Sequence, residues 1–316
     1  MKQILTQHTG TAMRIATTLG LGVVITAVIA TTQPAAFGQP SIEAANAQQP
    51  STSWPLFVFD NGLGRDQGWK PDRQAELTAR LGYSGIGYTH VKELKERYAA
   101  CELTGQRIFS FYVPFHVSAS QPVATETLQK LPQLKGKQAI LWIHTHGKAS
   151  KTEAVHAFRK FADQAAKYDV QVVIYPHAHF YVETADHALE LAKAVNRQNF
   201  GMSINVCHEL KAGNGEELVR LASESVDHLF LVSINGANHI EHPEDERDWS
   251  RLIQPLGKGD FDLKPFIKKL HERGYQGPIG LQCYLVPGKP EKVLRESMAA
   301  WRTLVQDTLV QDIEAN

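Results

Sequence analysis

From Trp54 onward the chain repeats one unit. Short apolar runs alternate with amphipathic stretches: LFVFD (56–60), SGIGY (84–88), RIFSFYV (107–113), AILWIH (139–144), VQVVIY (170–175), FGMSIN (200–205), HLFLVSIN (228–235) and PIGLQCY (278–284). Most spacings are about 30 residues, the length of one strand plus one helix. A run that is apolar at nearly every position reads as a strand buried on both faces, the habit of parallel sheets covered by helices. The intervening segments have helical periodicity. In KTEAVHAFRKFADQAAKYD, Val155, Phe158, Phe161 and Ala165 fall on one face. HALELAKAVN and LKPFIKKLHERG behave alike, and the second closes on Gly274, a helix-stop signal. Eight β/α units in about 260 residues predict an α/β chain folded as a single-domain (β/α)8 barrel. The competing arrangement, an open doubly wound sheet, would carry GxGxxG after its first strand, and none is present.

The first fifty residues break this rhythm. MKQILTQHTGTAMR carries positive charge, LGLGVVITAVIA is apolar and uncharged, and small and polar residues follow. This is the pattern of a secretory signal peptide, with Ala45-Asn46-Ala47 fitting the small-x-small cleavage rule. A membrane anchor is the competing reading, but the apolar run is short of the roughly 20 residues a spanning helix needs. Residues 1–47 are therefore expected to be a signal peptide and disordered leader, and residues 48–316 the barrel. The mature protein is expected to be secreted or periplasmic, free of the membrane. Formal net charge is zero, with no dense Lys/Arg run, which argues against nucleic acid as a partner. Cys101, Cys207 and Cys283 are odd in number and form no CxxC, so neither a disulfide framework nor a cysteine zinc site is expected.

On a barrel the strand ends converge on one rim, where active sites lie. Histidines crowd those ends: His116, His144 and His146 in WIHTHG, His177 and His179 in YPHAHF, His208, His239 and His242. Singly, such residues are more often structural; gathered on one face, they point to chemistry, because imidazole exchanges protons near neutral pH and ligates metals. Strand alternation sends Tyr175 and His177 the same way and Pro176 the other, and gives His144 and His146 a shared direction. His177, His208 and His144 are the candidate catalytic residues. The long interval between the seventh and eighth runs lies on the same face, either as a lid or as a surface insertion.

Three segments carry a resemblance. PLGKGDFDLKPFIKKLHERGYQGPIGLQ, with Gly257, Gly259, Asp262, Gly274, Tyr275, Gly277 and Pro278, resembles the end of the xylose isomerase-like sugar isomerase/epimerase family. QAELTARLGYSGIGY and FYVETADHALELAKAVNRQNFGMSINVCH are similar to earlier parts of it, and the likeness spans about residues 56–305. The resemblance implies a (β/α)8 barrel. Many members isomerise or epimerise sugars with Mn²⁺, Co²⁺ or Mg²⁺ held by a glutamate, an aspartate, a histidine and a second glutamate on strands five to eight. Carried over by motif, those positions are Tyr175, Asn205, Ser233 and Gln282. None keeps the family's residue. Hard cations depend on anionic oxygen, and an amide accepts no proton at neutral pH.

The expectation is an exported sugar isomerase/epimerase-like protein without the family's divalent metal. It would act on, or bind, a neutral sugar or glycan through Tyr175, Asn205, Ser233, Asn235, Gln282 and His146. Two alternatives stand beside it. One is a non-catalytic carbohydrate-binding barrel. The other is a lyase or hydrolase with zinc relocated onto His144, His146, His177 and His208. No strand-end cluster of Arg and Lys resembles a phosphate clamp.

Overall fold

Each of the eight apolar runs becomes a strand, and the strands close on themselves in chain order in a computed structural model that describes residues 54–242 and 249–314. The leader expected at residues 1–47 lies outside the described residues. The strands are β1 (Leu56–Phe59), β2 (Gly85–Tyr88), β3 (Arg107–His116), β4 (Ile140–His146), β5 (Gln171–Tyr175), β6 (Phe200–Asn205), β7 (Leu229–Ile234) and β8 (Ile279–Leu281). All neighbours are parallel, and β1 pairs with β8 to close the barrel.

The helices follow as α1 (Pro71–Leu81), α2 (Leu94–Leu103), α3 (Thr125–Leu134), α4 (Lys151–Ala166), α5 (Ala185–Val195), α6 (Val206–Lys211), α7 (Leu218–Ser225), α8 (Lys264–Glu272) and α9 (Pro290–Glu314). α4 starts where its sequence says it should: the Ser150 hydroxyl accepts the Glu153 N–H, and the Glu153 carboxylate accepts the Ser150 N–H at 2.8 Å. That reciprocal pair satisfies two otherwise orphaned donors. Val155, Phe158, Phe161 and Ala165 of α4 are buried, as their spacing predicts.

β8 ends three residues before its apolar run does. β8 stops at Leu281 because the Gln282 side-chain oxygen accepts the backbone N–H groups of Cys283 and Tyr284, each at 3.0 Å. Those donors are thereby withdrawn from any further ladder.

Two layers of apolar contact hold the barrel. The outer one lies between strands and helices. The inner one fills the barrel with Phe57, Phe59, Phe109, Ile140, Trp142, Val173, Tyr175 and Leu231. Large rings fit there because the facing strands supply no side chain: a Cβ on Gly280 would lie 2.6 Å from the Phe59 ring. Phe57 stacks on Phe109, and Phe59 on Trp142, both at 4.9 Å between ring centroids. The interior is therefore a packed plug, with open space above it at the C-terminal mouth and below it at the strand starts.

Candidate active site

That mouth holds a cavity of about 300 Å³ lined by residues on or just after seven of the strands and by the long β7–α8 loop. This is the lower end of ligand pockets, roughly 300–1,000 Å³. Phe59, Tyr112, Trp142 and Tyr175 contribute aromatic rings to it. Trp142 lies 4.0 Å from Tyr175 between centroids and donates its indole N–H to Ser203 Oγ at 2.8 Å. Ser203 in turn donates to the Ile174 carbonyl at 3.0 Å, which locks the rings in place.

The β5–β6 side gathers titratable rings of the cavity, Tyr175, His177 and His208. His177 Nδ1 lies 2.7 Å from the Ala178 carbonyl oxygen. A carbonyl can only accept, so Nδ1 bears the proton and Nε2 keeps its lone pair. His177 lines the cavity, and burial lowers its pKa to about 4, so the ring is neutral at pH 7. His208 is placed differently. Its Nδ1 accepts the Ala178 N–H at 3.4 Å, which puts its proton on Nε2, 2.8 Å from the Tyr175 hydroxyl. Burial holds His208 well below the usual imidazole range and Tyr175 well above the usual phenol range, so both stay neutral. Tyr175 also meets the Tyr112 ring edge-on, 5.0 Å between centroids. His208 therefore has both nitrogens engaged, whereas His177 presents a base. Trp249, from the β7–α8 loop, sets its ring edge-on against His208 at 5.1 Å. The described part of that loop is thus a wall of the cavity rather than a remote insertion.

The β8–β1–β2 side is polar, and of its residues only Gln282 is expected from the sequence. Gln282 Oε1 accepts from Asn61 Nδ2 at 2.5 Å as well as from its own loop, so the group it can offer a guest is Nε2. Asn61, Arg65, Tyr88, Thr89 and Tyr284 also line this side. Asn61 Oδ1 and the Tyr88 hydroxyl are buried without a partner. An unpaired buried polar group costs about 1–3 kcal/mol, so such atoms on a cavity wall are natural partners for a guest's hydroxyls.

The other expected site residues lie elsewhere. His144 stacks on Tyr112 at 4.1 Å and shares a 2.7 Å hydrogen bond with His146, but neither lines the cavity. Asn205, Ser233 and Asn235 are fully buried and also do not line it. Asn205 donates from Nδ2 to the Pro176 carbonyl at 2.9 Å, and Asn235 donates to Gly236 and Leu252 carbonyls at 2.8 and 2.7 Å.

The four positions that the family resemblance matches to metal ligands fit a hard divalent cation poorly. Asn205 and Ser233 are register partners on β6 and β7, and their Oδ1 and Oγ atoms are buried without partners. Yet Asn, Ser, Gln and a neutral phenol supply no anionic oxygen to offset the ion's dehydration. Among the described residues no three His, Cys, Asp or Glu side chains gather as a metal site.

Beside His208 stands a carboxylate that the sequence reading passed over. Glu209 is fully buried; Oε1 accepts the Ala185 N–H at the start of α5 at 2.7 Å, and Oε2 accepts from Asn214 at 2.9 Å. Burial outweighs both bonds and raises its pKa from 4.5 to about 7. Below pH 4.5 the folded and unfolded chains both hold this proton; between there and 7 only the folded chain does. Stability should therefore fall as pH rises through that window, by on the order of 3 kcal/mol from this group. Glu209→Gln should flatten the slope in denaturant titrations. Parallel slopes for both proteins would refute the assignment.

The chain belongs to the xylose isomerase-like TIM barrel family, whose model matches residues 133–304. A 3-dehydroshikimate dehydratase of Pseudomonas aeruginosa is 28% identical over 105 residues, 33% of this chain and 16% of that one. An uncharacterized protein of Methanocaldococcus jannaschii is 27% identical over 99 residues, 31% of each chain. The chain thus spans under a third of the length of these curated relatives. Among solved structures, 3-keto-D-glucoside 4-epimerase from E. coli superposes with a TM-score of 0.63 at 13% identity, covering 79% of this chain and 100% of its own. D-allulose 3-epimerase from Methylomonas sp. gives 0.63 at 16%, covering 79% and 98%. The probable 3-DHS dehydratase of Bacillus anthracis gives 0.64 at 14%, covering 78% and 98%. The protein is thus a sugar isomerase/epimerase-like barrel by fold, with both epimerases and a dehydratase as neighbours.

Proposed function

We propose that this protein removes and returns a proton on a carbon beside a ketone in a neutral carbohydrate, as a sugar isomerase or epimerase, without the family's divalent metal. One observation carries the proposal: His177 lines the cavity with Nε2 unprotonated, its tautomer fixed by the Ala178 carbonyl. The aromatic rings offer faces for the C–H side of a sugar ring, and Asn61, Tyr88, Thr89 and Gln282 offer uncharged hydrogen bonds to its hydroxyls. Epimerising a carbon next to a ketone and eliminating water next to one both begin by removing that carbon's proton. The same base would therefore serve the activities named for the neighbours. Tyr175, held by His208, is the hydroxyl placed to return or relay a proton. The N-terminal leader supports an exported protein, which a reporter fusion of residues 1–47 would test.

The deciding experiment is deuterium exchange in D₂O followed by NMR, on D-fructose, D-allulose, D-tagatose and D-sorbose, with EDTA present. Incorporation beside the ketone is expected for at least one of them. None in any would sink the proposal. The metal-free reading has its own check. Protein purified without chelator should carry no stoichiometric metal, and its melting temperature should not move in Mn²⁺, Co²⁺, Mg²⁺ or Zn²⁺. A cation at about 100 times its Kd would add about 2.7 kcal/mol and raise the melting temperature by several degrees.

A further inference from the structure

We infer that Arg65 is a catalytic residue: its Nη1 edge receives the ketone oxygen as that oxygen becomes an enolate. This rests on the proton-transfer reading above and supplies what that reading lacks. When His177 Nε2 takes the proton, the C–H electron pair becomes the enolate double bond, and the carbonyl π pair moves onto oxygen. Some positive group must meet that charge. Return of the proton from the imidazolium reverses each shift, so the step balances without an outside reagent.

Among the described residues lining the cavity, Arg65 is the one side chain charged at neutral pH. Its position is built. It opens the short turn Arg65–Gln67 after Gly64, which has φ +66°, a conformation that favours glycine. A Cβ on Gly64 would lie 2.3 Å from the Trp69 ring. Nε and Nη2 donate to Asp66 at 2.7 and 3.0 Å, which fixes the plane of the guanidinium. Nη1 lies 3.8 Å from Asp60 Oδ1, beyond hydrogen-bond length, so its N–H groups remain open. Asp60 is itself buried and anchored, accepting the Thr89 N–H at 3.1 Å and the Thr89 hydroxyl at 3.0 Å. Arg65 belongs to the β1 side and His177 to the β5 side, opposite each other in an eight-stranded barrel. A guest between them meets a base at one flank and a cation at the other.

The two aspartates also say what kind of charge Arg65 serves. They already offset a permanent positive charge, so a sugar phosphate or carboxylate gains little net attraction there. A held donor aimed at charge that develops during reaction is still effective, because it needs no reorganisation.

The test uses the same exchange assay on the full mature chain. Arg65→Met should lower the maximal exchange rate about 10²–10³-fold, the usual loss on removing one such donor, with half-saturation changed less than about threefold. Arg65→Lys, which keeps the charge but loses the fork, should fall between. Guanidinium ion below denaturing concentration should restore part of the rate to Arg65→Ala, a rescue no purely structural role would show. Melting curves must confirm that the variants fold. Exchange by Arg65→Met within threefold of wild type overturns the inference while leaving the proton-transfer reading intact. So does a loss confined to half-saturation, or tighter binding of glucose 6-phosphate than glucose that Arg65→Met abolishes. No exchange by the wild type removes both.

Discussion

His177→Gln is expected to cut proton exchange by about 10²–10⁴-fold, the range for losing a positioned acid–base group. Glutamine can keep a hydrogen bond to the Ala178 carbonyl through its amide nitrogen, but it offers no basic nitrogen. The loss should therefore be chemical rather than architectural, with melting temperature nearly unchanged. The pH dependence makes the expectation sharper. Burial brings His177 to about 4, because the charged ring would lose its hydration. A base works only when unprotonated, so exchange measured at low substrate should stay level from pH 8 down to about 5 and fall near 4. An ordinary histidine would give a fall near 6.5. An acid limb between 6 and 7, or a His177→Gln variant within tenfold of wild type, would remove His177 from the role. So weak a base raises an energetic objection, which the enolate itself answers: an adjacent negative charge favours the protonated ring. His208 differs in kind. Both its nitrogens are already engaged, so His208→Ala should act through Tyr175 and cost stability as well as rate.

The barrel was legible in the sequence because parallel strands buried on two faces are apolar throughout, and each is followed by a helix with one apolar face. The strand ends were legible to within a few residues, and β8 fell short only because the Gln282 side chain competes for the next backbone donors. Alternation placed Tyr175 and His177 on one side, and both line the cavity. It could not say how deep a side chain lies. Asn205 and Ser233 are buried at register-paired positions, and the cavity is bounded instead by Trp142, Tyr112 and Tyr175. Ring size and the absence of side chains on the facing glycines set that depth, and neither has a period. Arg65 was missed for another reason. It stands alone, six residues beyond the last apolar position of β1, in a turn whose shape depends on Gly64 and Trp69. No run or spacing marks such a residue. Only the rule that every strand end faces the same rim could have brought Asn61 and Arg65 into view.

Asn205→Asp restores the carboxylate that the family resemblance places at this position, and it is expected to destabilise the protein by about 3–5 kcal/mol at pH 8, the cost of an uncompensated buried charge. Asn205 is fully buried, and its amide donates to the Pro176 carbonyl at 2.9 Å. A carboxylate has no hydrogen to give, so it would face that carbonyl oxygen in repulsion. Its neighbour across the register is Ser233, whose hydroxyl could donate one bond, and no cation lies among the flanking metal-ligand positions. The folded-state pKa of this aspartate should therefore rise above its unfolded value near 3.9. The penalty should then be small at pH 4, where the protonated acid can donate to Pro176, and should grow as pH rises toward the folded value. Denaturant titrations of both proteins across that range would measure it. The outcome also bears on the metal. If Mn²⁺ or Zn²⁺ returned most of the lost stability to Asn205→Asp, one carboxylate would suffice to rebuild a cation site, and the poor fit argued for Tyr175, Ser233 and Gln282 would be wrong. We expect no such recovery, because three neutral oxygen donors and one charge offset the dehydration of a divalent ion far less than the three carboxylates and histidine that the family resemblance implies.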